Sequence, residues 1–311
     1  MLSETTPTML RPEVPLYLTD GGLETTLVFH DGYELPEFAA FPLLETAAGQ
    51  IRLRTYYERY IAIARERGAG FVLETPTWRA SRKWARLLGY SDTDVFRMNT
   101  LAVKLMQGLR AEHETGAMPM LISGNIGPQD DGYDPQHRMS VQEAEAYHSH
   151  QVRAFQAAGV DMITAATLTY PEEAIGIANA AAAAEVPVVI SFTVETDGRL
   201  PVTTALGDAI ARVDDEAVAP PVHYMINCAH PDHFHLAAGQ PWLHRIGGVR
   251  ANASRMSHAE LDACDVLDDG NPDEFGRLNH SLHALLPRLR VFGGCCGTDH
   301  RHVEAVAQHH L

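Results

Sequence analysis

Three cysteines that follow two short β-rich runs could together bind a metal ion. Cys228 directly follows the run that begins at Tyr224, and Cys295 and Cys296 end the run that begins at Val291. Zinc takes sulfur ligands tetrahedrally, and its catalytic sites commonly use three protein ligands and keep one position open. Two adjacent cysteines reach one ion only where the backbone turns sharply, which the glycines on both sides of the pair permit. The alternatives are a buried apolar pair of thiols or a disulfide between the two neighbours.

Other cysteine and histidine positions compete for this role. His230, His233 and His235 follow Cys228 closely, and imidazole also suits zinc. Because the chain has 17 histidines, chance clusters are common, and these three are predicted to be loop or helix-surface residues. Cys264 falls on a predicted helix and is expected to pack in the outer shell of the fold.

Polar residues follow other predicted strands. Asp20 and Gly21 come directly after the first strand, where Asp20 either caps backbone amides or contacts a substrate. Asn252 follows the seventh strand and places a side-chain amide at the same edge. These residues can form one site only if the fold brings the ends of the strands together. The order of strands and helices along the chain decides this.

Short β-rich runs alternate with longer helical runs along the whole chain, which is the rhythm of α/β folds. Eight such runs fit the number that closes a (β/α)8 TIM barrel, whose active sites lie at the carboxyl ends of the strands. The predicted strands are Leu16–Thr19, Gly70–Thr75, Met120–Gly124, Asp161–Ala165, Pro187–Phe192, His223–Asn227, Ile246–Ala251 and Arg290–Gly293.

The predicted helices lie between these strands, and no Pro/Gly/Ser-rich linker divides the chain. We therefore predict one domain over residues 1–311, with residues 1–14 as an N-terminal extension. The segment from His30 to Phe41 could be a lid or a packed rim. The predicted helices are Ala48–Arg67, Thr93–Thr115, Ser140–Ala158, Pro171–Ala184, Pro231–Ala238, Ser257–Leu267 and Phe275–Leu286.

Composition excludes several classes of protein. The chain has 40 acidic and 24 basic residues and a net charge of −16, which disfavours binding to nucleic acid or to anionic lipid surfaces. The first residues lack a basic segment followed by an apolar run, and no stretch approaches the roughly 20 apolar residues of a membrane span. Four cysteines are too few for a disulfide framework. We expect a cytoplasmic protein and leave its oligomeric state open.

The three cysteines, the Asp20-Gly21-Gly22 turn, Gly127-Pro128 and the Gly293–Gly297 motif together resemble the homocysteine S-methyltransferase family. The resemblance covers the chain from about Leu16 to Ala307. It implies a (β/α)8 barrel with one zinc ion bound through Cys228, Cys295 and Cys296. It also implies that Asp20 and Gly21 contact the thiol substrate.

One position departs from the family pattern. The family usually has a Glu-Thr pair at the end of the fourth strand, and the glutamate helps to hold the amino group of homocysteine. Here the matching glutamate position is Ala166. An ammonium in a closed pocket needs a partner, so either another acid such as Glu24, Glu172 or Asp20 replaces that glutamate or the acceptor is not homocysteine.

The resemblance implies a zinc-dependent methyltransferase that moves a methyl group from a small donor to a thiol. The donor suggested by the shorter family members is S-methylmethionine or S-adenosylmethionine, and the acceptor homocysteine would give methionine. The candidate substrate-binding residues are Asp20, Gly21, Glu24 and Asn252. Two alternatives stay open: the same chemistry on another small thiol, selenol or methylated substrate, or a non-catalytic zinc or redox-sensing barrel.

Overall fold

Eight parallel strands close into a barrel in a computed structural model that describes residues 9–133 and 135–311. Each strand pairs with the next along the chain, and the eighth pairs with the first, so the predicted (β/α)8 TIM barrel is confirmed. The strands are β1 Tyr17–Leu18, β2 Gly70–Glu74, β3 Met120–Ile126, β4 Met162–Leu168, β5 Val188–Phe192, β6 Tyr224–Asn227, β7 Ile246–Ala251 and β8 Val291–Gly294.

Ten α-helices accompany the strands in the described part of the chain, and none of them is long and apolar enough to cross a membrane. Two helices end at glycines whose positive φ suits a left-handed cap: Gly68 at φ 67° and Gly159 at φ 80°. The helices are α1 Leu23–Thr25, α2 Ala47–Arg67, α3 Arg82–Leu87, α4 Asp92–His113, α5 Val141–Ala158, α6 Pro171–Ala183, α7 Leu206–Glu216, α8 His258–Asp262, α9 Pro272–Ser281 and α10 His300–His310.

The segment before β1 covers the amino end of the barrel. Leu10 and Val14 are buried and pack in one apolar cluster with Tyr17, Met162 and Val291, which begin three of the strands. The carboxyl ends of the strands therefore remain as the accessible mouth. The predicted N-terminal extension, residues 1–14, lies partly outside the described residues, because the structure describes nothing before residue 9.

Two predicted helices are much shorter in the structure, and the helices α1, α3 and α7 were not predicted. The segment Pro231–Ala238 contains only the 3-10 turn Pro231–His233, because His235 adopts a positive φ of 47° that a right-handed helix cannot contain. The segment Ser257–Leu267 is helical only over His258–Asp262. Helix α7 lies between β5 and β6, where no helix was predicted.

Candidate active site

The barrel brings Cys228, Cys295 and Cys296 together at the carboxyl ends of β6 and β8. Their three Sγ atoms lie within 4.8 Å of one another, and the Sγ atoms of Cys228 and Cys296 are 3.4 Å apart. Within the described ranges, all four cysteines are free thiols. The cluster has the soft thiolate donors that zinc and similar metals prefer.

Unusual backbone geometry places these thiols. Cys228 adopts a left-handed φ of 57°, which is uncommon for a residue with a Cβ, and it follows β6 directly. Gly297 has a φ of 78°, and a Cβ at Gly294 would collide with the side chain of Thr298. The glycines flanking the cysteine pair are therefore needed for the turn that places both thiols at one site.

Tyr133 covers the cluster from the loop after β3. Its hydroxyl lies 3.0 Å from the Sγ of Cys228 and 3.3 Å from the Sγ of Cys296. Its ring stacks on His258, with ring centroids 4.1 Å apart, and the Nε2 of His258 lies 2.8 Å from the carbonyl oxygen of Cys228. Tyr133 is thus held against two of the three sulfur atoms.

The three thiols do not share charge equally. Hydrogen bonding to Cys228 and Cys296, together with the nearby Arg250 guanidinium, holds the pKa of Cys295 well below its usual range. The pKa of Cys228 is raised well above its usual range, first by its interactions with the other two thiols and then by burial. Cys295 is therefore the thiol that ionises first, and a thiolate is the form that binds metals.

A buried ion pair lies beside the thiols. The Nη2 atom of Arg250 is 3.0 Å from Oδ1 of Asp20, and the hydroxyl of Tyr56 donates a hydrogen bond of 3.0 Å to Oδ2 of Asp20. Burial raises the pKa of Asp20, and the Arg250 charge opposes that effect. Asp20 follows β1, as predicted, and it has an ion pair at Oδ1 and a hydrogen bond at Oδ2.

Two further carboxyl groups face the same space. Glu24 and Glu74 both line the cavity at the barrel mouth, and burial raises the pKa of each to about 7. Glu74 ends β2 and is only 2% exposed. Three acids around one arginine leave an excess of negative charge when all of them are ionised.

Glu74→Gln should remove a pH dependence of stability. The folded pKa of Glu74, about 7, lies above the value of about 4.3 in an unfolded chain, so the folded protein binds more protons between these values. The contribution to the free energy of unfolding is present below the lower value and is lost as pH rises through 7, by up to about 4 kcal/mol. Urea denaturation of metal-free protein at about pH 5 and about pH 8 measures it. If the free energy of unfolding falls by the same amount between these two pH values in the wild type and in Glu74→Gln, Glu74 is not the source of the pH dependence.

The mouth encloses a cavity of about 600 Å³, within the range that holds small ligands. It contains most of the predicted site residues, while Asn252 is buried and is not among the described residues that line it. The lining includes Asp20, Gly21, Glu24, Glu37, Phe38, Glu74, Trp78, Tyr133, Ala166, Cys228, Arg250, Cys264, Cys295 and Cys296.

The remaining candidate residues lie outside the cluster of three thiols. Glu172 pairs with Arg212 on the barrel exterior side of α6 and α7 and is not among the described cavity-lining residues. The ring of His230 caps the 3-10 turn after β6, and His235 Nε2 lies 2.8 Å from the Thr196 carbonyl oxygen. Cys264, which was expected within a helix, lies beyond the end of α8 and lines the cavity.

Three residues of the site were not predicted from the sequence: Glu74, Arg250 and Tyr133. Glu74 had a usable signal, because it is an acid at the end of a predicted strand, as Asp20 is. Arg250 is a charged residue inside an otherwise apolar strand, which also marks a buried partner. Tyr133 lies in a long loop, and nothing in the spacing of that loop indicates where its side chain reaches.

The fold and the site together define a (β/α)8-barrel enzyme with a cluster of thiols able to hold a metal ion. The sequence profile of the homocysteine S-methyltransferase family matches residues 17–310, and the chain belongs to this family. It is therefore a methyltransferase whose family acts on thiols, as the resemblance implied. A comparison with curated proteins gave no match.

Solved structures agree on the architecture. The metallated form of the homocysteine methyltransferase MmuM from Escherichia coli is 20% identical, has a TM-score of 0.71, and the match covers 95% of this chain and 96% of that chain. The oxidized form of the same protein is 22% identical, with a TM-score of 0.70 and the same coverage of both chains. At this level of identity the likeness shows a shared fold.

Proposed function

We propose that this protein is a zinc-dependent S-methyltransferase that moves a methyl group from a small sulfonium donor to homocysteine and so forms methionine. S-Methylmethionine or S-adenosylmethionine is the donor. The observation that carries the proposal is the cluster of Cys228, Cys295 and Cys296 at the mouth of the cavity. Asp20, Gly21 and Glu24 are proposed to contact substrate from the cavity wall, and Asn252 to support that wall from behind.

The spacing of the sulfur atoms supports zinc. Three sulfurs bound tetrahedrally at about 2.3 Å from one ion lie about 3.8 Å apart. The separations here are compatible with that value, since two Sγ atoms are 3.4 Å apart and no two of the three are more than 4.8 Å apart. Small side-chain rotations would thus suffice for Cys228, Cys295 and Cys296 to serve as the three protein ligands.

The reaction needs a thiolate, because a free thiol with a pKa near 8.5 is only a few per cent ionised at neutral pH. Zinc, when bound, would supply the positive charge that favours the thiolate form of an acceptor sulfur placed beside it. The chain's own part is to position that sulfur and the donor within one cavity, which lowers the entropic cost of their meeting.

The bond changes balance without a general acid. The acceptor thiol releases its proton to water, and its sulfur then uses an electron pair to form the new S–CH₃ bond as the C–S bond of the donor breaks. The leaving group is a neutral thioether, which needs no proton. The acids Asp20, Glu24 and Glu74 face the cavity and suit a donor that enters as a cation.

Tyr133→Phe should weaken zinc binding by about 10- to 100-fold, the range typical when a group that hydrogen-bonds to metal ligands is lost. The reason is that the Tyr133 hydroxyl can donate to the sulfurs of Cys228 and Cys296, which lie 3.0 and 3.3 Å away. Competition with a chromophoric chelator measures the dissociation constant. An unchanged zinc affinity would show that the hydroxyl makes no contribution.

The proposed function is tested by incubating the protein with homocysteine and methyl-deuterated S-methylmethionine or S-adenosylmethionine. Zinc-loaded and chelator-treated samples run side by side, and mass spectrometry detects deuterated methionine. Product that requires zinc supports the proposal. A zinc-loaded protein that forms no product with either donor overturns it and directs the search to another thiol, a selenol or a methylated substrate.

A second candidate is a zinc or redox-sensing barrel without catalysis. It is favoured by the 3.4 Å separation of the Sγ atoms of Cys228 and Cys296, a distance short enough for a disulfide to form after a small movement. This candidate predicts reversible oxidation of the thiols and no turnover with any methyl donor. Turnover in the deuterium assay would exclude it.

A further inference from the structure

The wall of the cavity formed by β4 carries no acid, but a carboxyl group reaches the same space from β2. Thr164 and Ala166 of β4 line the cavity together with Glu74. The hydroxyl of Thr164 donates a hydrogen bond of 3.0 Å to Oε1 of Glu74, and Ser123 of β3 lies 2.8 Å from that hydroxyl. Side chains from three adjacent strands thus fix the position of the Glu74 carboxyl group in the cavity that Ala166 also lines.

One oxygen of this carboxyl group has no protein partner. Oε2 of Glu74 is buried and makes no hydrogen bond to any described residue. Buried polar atoms are nearly always hydrogen-bonded, and an unpaired one costs free energy. Burial also raises the pKa of Glu74 to about 7, as expected for a carboxyl group that lacks a cation of its own.

The nearest protein cation is already engaged. Arg250 pairs with Oδ1 of Asp20 at 3.0 Å and donates to the carbonyl oxygens of Gly21 and Gly294 at 3.1 Å each. Its charge lowers the pKa of Glu74 but does not offset the effect of burial. A cationic hydrogen-bond donor from a ligand would satisfy Oε2 and neutralise the carboxylate.

The other acids fit this role less well. Asp20 already has a cation, Arg250, beside Oδ1 and a hydrogen bond from Tyr56 to Oδ2, and Glu172 lies in an ion pair with Arg212. Glu24 lines the cavity but is more exposed than Glu74, and neither of its carboxylate oxygens is a buried atom without a hydrogen-bond partner. Among the described residues, Oδ1 of Asp20 is also buried without a hydrogen bond, but it lies 3.0 Å from the Arg250 guanidinium, whereas Oε2 of Glu74 has neither a hydrogen bond nor an ion pair.

We infer that Glu74 binds the ammonium group of an α-amino thiol acceptor and so makes the enzyme select amino-acid thiols. This inference rests on the proposed function and specifies how the acceptor is held. Thr164 orients the carboxylate, and the small side chain of Ala166 leaves room for the ammonium group beside it.

The test compares two acceptors that differ only in the amino group, L-homocysteine and 4-mercaptobutanoate. In zinc-loaded wild-type protein, kcat/KM should favour homocysteine. Glu74→Gln keeps the shape of the side chain and should reduce that preference by about 10- to 100-fold, the factor expected for a lost hydrogen bond between charged groups. The change should appear mainly in KM for homocysteine, with zinc content and melting temperature close to those of the wild type.

Glu37→Gln is the matched variant, because it removes the same charge from an exposed residue that lines the same cavity. It should leave most of the preference for homocysteine in place. A Glu74→Gln protein that retains the full preference overturns the inference, and so does a Glu37→Gln protein that alone loses it.

Calorimetric binding of the two thiols separates this inference from the proposed function. If the wild type methylates neither thiol, the proposed function fails, and binding then decides the inference. Tighter binding of homocysteine than of 4-mercaptobutanoate, lost in Glu74→Gln, supports the inference even then. Equal binding of the two thiols by the wild type overturns it.

Discussion

Alanine at Cys228, Cys295 or Cys296 should abolish zinc binding and methyl transfer together. The three Sγ atoms lie within 4.8 Å of one another, so removal of any one leaves two thiols and an incomplete site. The loss should exceed the roughly 100-fold typical when only a hydrogen-bonding partner of a metal ligand is removed. Elemental analysis gives zinc per chain, and the deuterated-methionine assay gives the rate for the same preparation.

Cys264→Ala is the matched control for these variants. Its thiol donates to the carbonyl oxygen of Val266 at 3.1 Å, and Cys264 does not belong to the three-sulfur cluster found among the described residues. We expect this variant to hold as much zinc as the wild type. A Cys295→Ala protein that is free of metal but transfers methyl groups at the wild-type rate would refute the role given to the cluster.

The convergence of the three thiols was predictable because it depends on topology more than on side-chain detail. Once eight strands alternate with helices, the carboxyl ends of β6 and β8 must open at one mouth. Cys228 and Cys295 each lie at such an end, and the glycines around the pair already indicated a turn. Because the barrel is confirmed, most of the predicted site residues lie together at its mouth.

The helix errors have local causes. Helix α7 has buried residues at Leu206, Ala209, Ile210 and Val213, a helical spacing that was present in the sequence but was not used. The segment after Cys228 was predicted to be helical over Pro231–Ala238. Its helix stops within one turn, and no local pattern indicated that His235 would adopt a positive φ.

The electrostatic part of the site could not be derived from spacing. Whether Asp20 meets substrate or a protein cation depends on Arg250, which lies 230 positions along the chain and on another strand. Likewise, Glu74 matters because its Oε2 atom is buried without a partner, and burial is a property of the packed barrel. Long-range charge pairing therefore had to be observed in the structure.

Arg250→Met should destabilise the fold by about 3 to 5 kcal/mol, the usual cost of removing one partner of a buried ion pair. The guanidinium is 13% exposed and the Asp20 carboxyl 4% exposed, so the remaining carboxylate would be buried without its cation. Arg250 also joins β7 to the carbonyl oxygens of Gly21 and Gly294. Because β1 has only two residues, these bonds help to hold the loop after β1 against β8. The urea midpoint of metal-free protein measures the loss.

The double variant Arg250→Met with Asp20→Asn separates the ion pair from the backbone contacts. Neutralising Asp20 removes the uncompensated charge, so the double variant should be more stable than Arg250→Met alone. The part of the stability loss that the double variant does not restore measures the hydrogen bonds from Arg250 to Gly21 and Gly294. If Asp20→Asn instead lowers the stability of the Arg250→Met protein by as much as it lowers that of the wild type, the two side chains contribute independently. The buried pair would then not be what secures the loop that carries Asp20 to the cavity.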